Sequence, residues 1–279
     1  MKKVIVLILL FVFAPSQYMF SQEVEDDSQE QHQLLTDKFH FDVGWFYLSK
    51  NIKVGADGTT PNQNIDFGDS FKLNNEESAF LFKFDWRFSK KWNLSFETWS
   101  FSTSNVAVLE EDVEWQDVVF NAGTNVKAGV DLDLYRIFFG RVFSRGQQHE
   151  FGAGLGVHAL NTGVFIEARV IVDGVEELSE RSAVSAVIPL PNLGVWYYYT
   201  PSTKVALIAR VDWFGIKIGD YSASLWNLAP GIRYQVFKNV GIGLDYRYLL
   251  IKASVDTNDW DGDFRMSFSG PLISINANF

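Results

Sequence analysis

From Lys38 to the carboxyl terminus, apolar and polar residues alternate with a period of two. That is the spacing at which successive side chains of a β-strand point to opposite faces. The run Phe80-Leu-Phe-Lys-Phe-Asp-Trp-Arg-Phe88 states the pattern most plainly. Phe80, Phe82, Phe84, Trp86 and Phe88 share one face, while Leu81, Lys83, Asp85 and Arg87 share the other. Val205–Phe214 sets Leu207, Val211 and Trp213 against Arg210 and Asp212, and Val240–Tyr248 sets Ile242, Leu244, Tyr246 and Tyr248 against Asp245 and Arg247. Leu225–Phe237 sets Trp226, Leu228, Ile232 and Tyr234 against Asn227, Arg233 and Gln235. In Phe151–Ala159 the apolar face is Phe151, Leu155 and Val157, and Gly152, Gly154, Gly156 and His158 turn inward. Inward glycines leave space for large neighbouring side chains in a narrow barrel. In a soluble sandwich the aromatic face would be the core. Here it recurs along nearly the whole chain, with no helical segment to cover it. A sheet closed on itself in lipid answers both needs, because closure pairs every strand edge and the bilayer takes the greasy face. The pattern therefore predicts an all-β fold, a closed antiparallel transmembrane β-barrel over residues 38–279.

Connections of two kinds alternate along this barrel. Short ones are Ser89–Lys91, Ser144–Gln148, Pro201–Thr203 and Phe237–Asn239; longer polar ones cover about 55–77, 106–123, 167–183, 215–223 and 255–264. Short periplasmic turns and long extracellular loops are the habit of outer-membrane barrels. Four such turns plus two periplasmic termini give about ten strands, with eight as the alternative. The alternation changes parity within Asp131-Leu-Asp-Leu-Tyr-Arg136 and again near Gly270-Pro271. A β-bulge, which shifts register by one residue, is the simplest reading of each. Without the first, Arg136 would face lipid at a cost of roughly 2–4 kcal/mol.

The chain ends sharpen the picture. Met1-Lys-Lys followed by Val4–Ala14 has the charged start and short apolar core of an export signal, which we assign to residues 1–22. Residues 23–37 are acidic and offer little to bury, which predicts a flexible periplasmic leader. The last residues, Ser274-Ile-Asn-Ala-Asn-Phe279, have one apolar and one polar face and stop on an aromatic. This terminal strand resembles the closing strand of bacterial outer-membrane barrels, where the final aromatic is part of the signal read by the barrel assembly machinery. The expected location is the outer membrane of a Gram-negative bacterium, with both termini periplasmic. Cys is 0, so no disulfide, lipid-modified cysteine or thiolate metal site enters the argument. A formal net charge of −10 argues against nucleic acid, whose phosphates need a basic surface.

Chemistry is concentrated on the inward face. Its cations are Lys83, Arg87, Arg136, Arg210, Arg233 and Arg247; its anions are Asp42, Asp85, Glu97, Asp131, Asp133, Asp212 and Asp245. A buried charge is costly unless paired, so near balance predicts mutual salt bridges filling the lumen. The functional alternative is a narrow aqueous channel lined by both signs. A third reading groups Asp131 and Asp133 with His158, similar to the acid–imidazole sets with which outer-membrane proteases activate water. A lone inward histidine is more often a hydrogen-bonded structural residue. The oxygen-rich loop Asp256–Asp263 resembles a calcium loop only loosely, because Trp260 stands where a ligand is needed. No cofactor and no metal are expected. With Glu110–Asp112 and Glu176-Glu177, that loop makes an acidic rim able to bridge to lipopolysaccharide phosphates through divalent ions.

Three stretches, Asp212–Asn227, Asp131–Arg136 and Ile65-Asp-Phe-Gly-Asp69, resemble a family of small outer-membrane barrel proteins distantly similar to the OmpA- and OmpW-like barrels. The resemblance covers about 38–279 and implies fold and location, without substrate or catalytic residues. No peptidoglycan-binding domain follows the barrel, so tethering to the cell wall is not implied. The function expected is structural or that of an interaction platform, with a narrow passive porin as the alternative and an outer-membrane hydrolase behind it. Expected partners are outer-membrane lipid, lipopolysaccharide and the assembly machinery.

Overall fold

The computed structural model describes residues 31–57, 64–66, 71, 73, 76–110, 112–115, 118–172, 175–256 and 261–279. The assigned signal segment 1–22, and the leader as far as residue 30, lie outside them. Ten antiparallel strands follow one another around a closed barrel. They are β1 (Phe39–Asp57), β2 (Glu77–Trp86), β3 (Trp92–Val108), β4 (Asn125–Arg145) and β5 (His149–Val172). The second half is β6 (Val175–Tyr199), β7 (Val205–Ile218), β8 (Tyr221–Leu228 and Gly231–Gln235), β9 (Val240–Asp256) and β10 (Asp261–Asn278). Closure comes from β10 on β1, paired from His40–Asn278 to Asp57–Asp261. The chain ends lock it: Lys38 and Phe39 donate their amides to the Phe279 carbonyl, and Phe279 donates back to Phe39. β8 is one strand in register, interrupted where Pro230 has no N–H to give.

The outer face explains why the sheet closes. Phe39–Tyr47, Trp226–Tyr234 and Ile242–Leu250 each present apolar residues outward over nine positions, the length with which a tilted strand crosses a bilayer core. Aromatic rings crowd both borders of this belt. Phe88 and Trp92 stack on Phe139 near the short turns, while Trp45 meets Phe80 and Trp213 meets Trp226 at the other border.

Neither expected bulge is present. β4 keeps constant register with β3 along its whole length and with β5 as far as Val142; the shift on that ladder falls between Val142 and Ser144. β10 likewise runs unshifted past Gly270-Pro271 on both neighbours. The parity change is a change of environment. Below it, toward the short turns, Arg136 points in and Tyr135 and Ile137 point out; above it, Leu132 and Leu134 point in and Asp131 and Asp133 point out. Every strand inverts at one level. The inner face turns from polar to apolar at Phe46, Leu81, Trp99, Leu134, Leu160, Leu190, Phe214, Leu225, Leu249 and Leu272. Arg136 thus reaches the lumen without a bulge.

Beyond the belt the strands continue as a second tier, with a mostly apolar core, in which buried Lys50 pairs with Glu77 at 3.4 Å, and a polar exterior. β5 and β6 run 24 and 25 residues, far more than a membrane requires. The expected loops 167–183, 215–223 and 255–264 are accordingly mostly strand: β5 extends to Val172, β6 begins at Val175, and β7 turns into β8 at Gly219-Asp220. The core of this tier includes Trp99 edge-on to Phe46 and Phe268. Phe71 and Leu73, between β1 and β2, and Leu109 and Phe120, between β3 and β4, are buried in the same cluster.

β6 leaves β7 beyond Leu193–Trp213, the last pair of their ladder. Thr200 donates its amide toward β5, so by alternation the odd positions of β6 face β7. Pro189 and Pro191 are two of these, with no N–H to offer where the ladder has ended.

The end of the expected leader is ordered. Gln33–Thr36 forms a short helix capped by His32, and Leu35 is buried. A flexible segment with little to bury is therefore corrected for residues 31–37: Leu35 supplies an apolar anchor, and the Leu34 carbonyl accepts from Arg87.

Candidate functional site: the charged layer of the lumen

Eleven of the thirteen charged residues assigned to the lumen meet there; Asp131 and Asp133 do not. The layer lies between the short turns and the apolar tier, and its ion pairs run from wall to wall. Glu97, on β3 and 1 % exposed, is its hub. Arg247 on β9 grips both its oxygens at 2.8 and 3.3 Å, and Arg210 on β7 reaches one at 2.9 Å. Each partner lies four strands away around a ten-stranded wall, so these bonds cross the lumen. Arg136 on β4 makes a two-pronged contact with Asp212 on β7, Nε to Oδ2 at 3.0 Å and Nη2 to Oδ1 at 2.8 Å. Arg210 also lies 3.4 Å from Asp212. Arg233 on β8 joins Asp42 on β1 at 3.1 Å and Asp245 on β9 at 2.9 Å. Lys83 sits 2.7 Å from Asp85, which accepts from Ser95, and 3.8 Å from Asp42.

A second cluster lies nearer the turns. Glu150, fully buried at the start of β5, accepts from Arg87 at 2.5 Å, Arg145 at 2.6 Å and the Trp196 indole at 3.0 Å. Sequence reasoning missed Glu150, although the alternation Gly152, Gly154, Gly156, His158 continued one step back would have found it. With Glu150 gained and Asp131 and Asp133 removed, Lys83, Arg87, Arg136, Arg210, Arg233 and Arg247 face Asp42, Asp85, Glu97, Glu150, Asp212 and Asp245, and Arg145 adds a seventh cation at the turn end of the layer. Near balance and pairing are what a buried ionic layer needs to persist.

Large side chains fill the remaining space. The ring of Trp196 occupies the position a Cβ on Gly152 would take, and Phe138 similarly crowds Gly194. Arg136 stacks its guanidinium 4.4 Å from the Phe138 ring centre. Where the charged layer meets the apolar tier, between Glu97, Arg247, Trp99 and Leu134, the cavity is about 10 Å³, room for one water at most.

The grouping of Asp131, Asp133 and His158 is not formed. Asp131 is exposed on the outer wall, and Asp133 accepts there from Asn161 at 3.1 Å. His158 is buried on the inner wall, with Nδ1 3.0 Å from Asn192 and Nε2 3.4 Å from Asn227. The barrel wall separates the imidazole from both aspartates. Of the acidic rim, Asp112 accepts from the Ala122 amide at 2.7 Å. The centre of the Asp256–Asp263 loop lies outside the described residues.

Comparison with known proteins supports the architecture. No protein-family model and no curated protein matches the chain. Among solved structures, the outer membrane protease OmpT of Escherichia coli aligns with a TM-score of 0.55 at 9% identity, over 87% of this chain and 97% of that one. OprG of Pseudomonas aeruginosa aligns at 0.42 and 11% identity (90% and 98% covered), and the toluene transporter TodX of P. putida at 0.34 and 9% (88% and 91%). The first likeness is one of fold. An outer-membrane β-barrel fold, with an apolar belt of membrane height, supports an outer-membrane location.

Proposed function

We propose that the protein is a non-conducting outer-membrane barrel with a structural role or that of an interaction platform. The observation that carries this is Glu97, held from the far wall by Arg210 and Arg247 directly beneath a packed, mostly apolar tier. Ions and small solutes would have to break paired charges and then cross packed aromatic rings. The same reading puts the short turns and both termini in the periplasm and the long tier outside the cell, where its polar exterior meets water. Lipopolysaccharide and the assembly machinery are the partners this placement implies. The reading is non-enzymatic, and it is supported by the separation of Asp131 and Asp133 from His158 across the barrel wall.

Single-channel recording in planar bilayers tests the proposal. Purified barrel should give no steady conductance steps; reproducible steps of sizeable amplitude would make it a passive porin. A hydrolytic activity present in the wild type and lost in an Asp131→Asn/His158→Ala variant that assembles normally would overturn the non-enzymatic reading.

A further inference from the structure

The outer wall just beyond the apolar belt carries carboxylates on one part and a cluster of cations on another, with Asp263 two residues past Arg265. On β4, two residues past Tyr135, it carries Asp133 and then Asp131. On the opposite part of the wall it carries Lys217 on β7, Lys252 on β9 and Arg265 on β10. Lys252 and Arg265 are direct cross-strand neighbours on the same face. Like charges so placed repel unless an anion lies between them. Lys217, Lys252 and Arg265 have no ion-pair partner among the described residues.

Hydroxyls surround the three cations. Ser222 lies opposite Lys217 and also opposite Ser254, and Ser224 lies opposite Lys252. Ser222 and Ser254 are hydrogen-bonded to each other at 2.8 Å. These residues line a groove of about 600 Å³ whose lower edge is Trp213. Its height matters most. Lys252 and Ser224 stand two residues above Leu250 and Trp226, the last outward apolar residues of β9 and β8. Two residues of strand rise about 7 Å. The polar layer flanking a hydrocarbon core of about 30 Å is of that thickness, so the groove opens at the level of lipid phosphates.

We propose that Lys217, Lys252 and Arg265, with the serines between them, bind the phosphate groups of a phosphorylated glycolipid in the leaflet at the long-tier end, the Trp213–Trp226 pair lying against its acyl chains. The inference rests on the membrane placement above but not on whether the lumen conducts, because the groove is on the outer wall. It differs from divalent bridging at the acidic rim, since here the cations are the protein's own.

The test uses the full barrel in detergent, with native mass spectrometry reading retained lipid. The probes are bis-phosphorylated lipid A, the same lipid enzymatically dephosphorylated, and inorganic phosphate as competitor. Wild-type protein should retain the phosphorylated lipid about tenfold better than the dephosphorylated one, equivalent to roughly 1.4 kcal/mol, and the preference should shrink with added salt. The Lys217→Ser/Lys252→Ser/Arg265→Ser variant should lose the preference, while Lys127→Ser, on the β4 wall, keeps it. Equal retention of both lipids by the wild type would overturn the proposal without any variant having to fold. So would a triple variant as selective as the wild type, or displacement of the lipid by equimolar inorganic phosphate, which would mark a free-anion site. A barrel that conducts yet discriminates between the lipids would refute the sealed lumen and leave this inference standing.

Discussion

Replacing Glu97 with Gln removes one buried negative charge and leaves the shape of the side chain nearly unchanged. The consequences for its two partners differ. Arg210 keeps Asp212 at 3.4 Å, whereas Arg247 has no other anion within bonding distance among the described residues. One guanidinium is therefore stranded in a layer of paired charges. Stranding a buried charge costs about 3–5 kcal/mol, and the loss should exceed that of Asp85→Asn, which leaves Lys83 3.8 Å from Asp42. Equilibrium unfolding in urea from lipid vesicles, followed by tryptophan fluorescence, gives the difference. Combining Glu97→Gln with Arg247→Leu should recover part of the loss, because the stranded cation is gone; a coupling of roughly 0.5–3 kcal/mol is expected between contacting residues. A Glu97→Gln loss below about 1 kcal/mol, with no coupling, would mean the layer is hydrated and its charges screened. That outcome would refute the dry, cross-braced lumen and revive the porin reading.

Three further predictions probe other parts of the molecule. Ile137→Arg, outward in the belt, should cost roughly 2–4 kcal/mol, whereas Asp131→Arg, outward beyond it, should stay within about 0.5 kcal/mol; equal costs in vesicle unfolding would misplace the membrane border. Gly152→Ala should lose about 1–3 kcal/mol because its methyl group enters the space of the Trp196 ring, and Trp196→Leu in the same chain should restore part of the thermal midpoint. Burial, together with the nearby His40, pushes His32 from its ordinary 6.5 down to about 4. The undocked chain therefore takes up the proton first. Docking of the Gln33–Thr36 helix should be at full strength above about pH 6.5 and weaken progressively down to about pH 4, since Leu34 donates to His32 Nδ1 at 3.1 Å. Amide exchange at Leu34 and Leu35 should accelerate over that window; a flat profile would show that His32 does not hold the segment.

The barrel was legible in sequence because its signal is local and repeated: Phe80–Phe88 alone assigns both faces of a strand, and eleven of the thirteen charges assigned to the lumen are there. What failed was the assumption that one rule holds over a whole strand. Outward apolar residues mark only the part in lipid. Beyond the belt the strands still pair, but the greasy face is the inner one, so Asp131 and Asp133 looked inward when read against Arg136, and the paired strands beyond Ala168 looked like loop. The pairing of Arg247 with Glu97, four strands away, depends on closure and register, which no local pattern carries. Leu35 was hidden in a polar neighbourhood, where two adjacent leucines, Leu34 and Leu35, give no period.

The inversion that misled the reading also does physical work that alternation cannot. Sliding a strand by two residues returns every side chain to its original face, so a period of two leaves strand height undetermined. A border at which both faces exchange polarity removes that freedom. If β4 slid by two positions toward the short turns, Leu134 would enter the charged layer in place of Arg136, Asp212 would lose its two-pronged partner, and Asp133 would move to the lipid level of Tyr135. Exchanging two residues tests this without changing composition, net charge or inward parity: Leu134→Arg combined with Arg136→Leu. If height is set by the border, the variant strands Asp212 below and buries an unpaired arginine above, each costing about 3–5 kcal/mol. Heat-modifiable migration on gels, which reports the closed barrel, should then show little folded species. A variant that assembled to wild-type yield and stability would show that strand height is fixed elsewhere, by the short turns or by the β10–β1 closure.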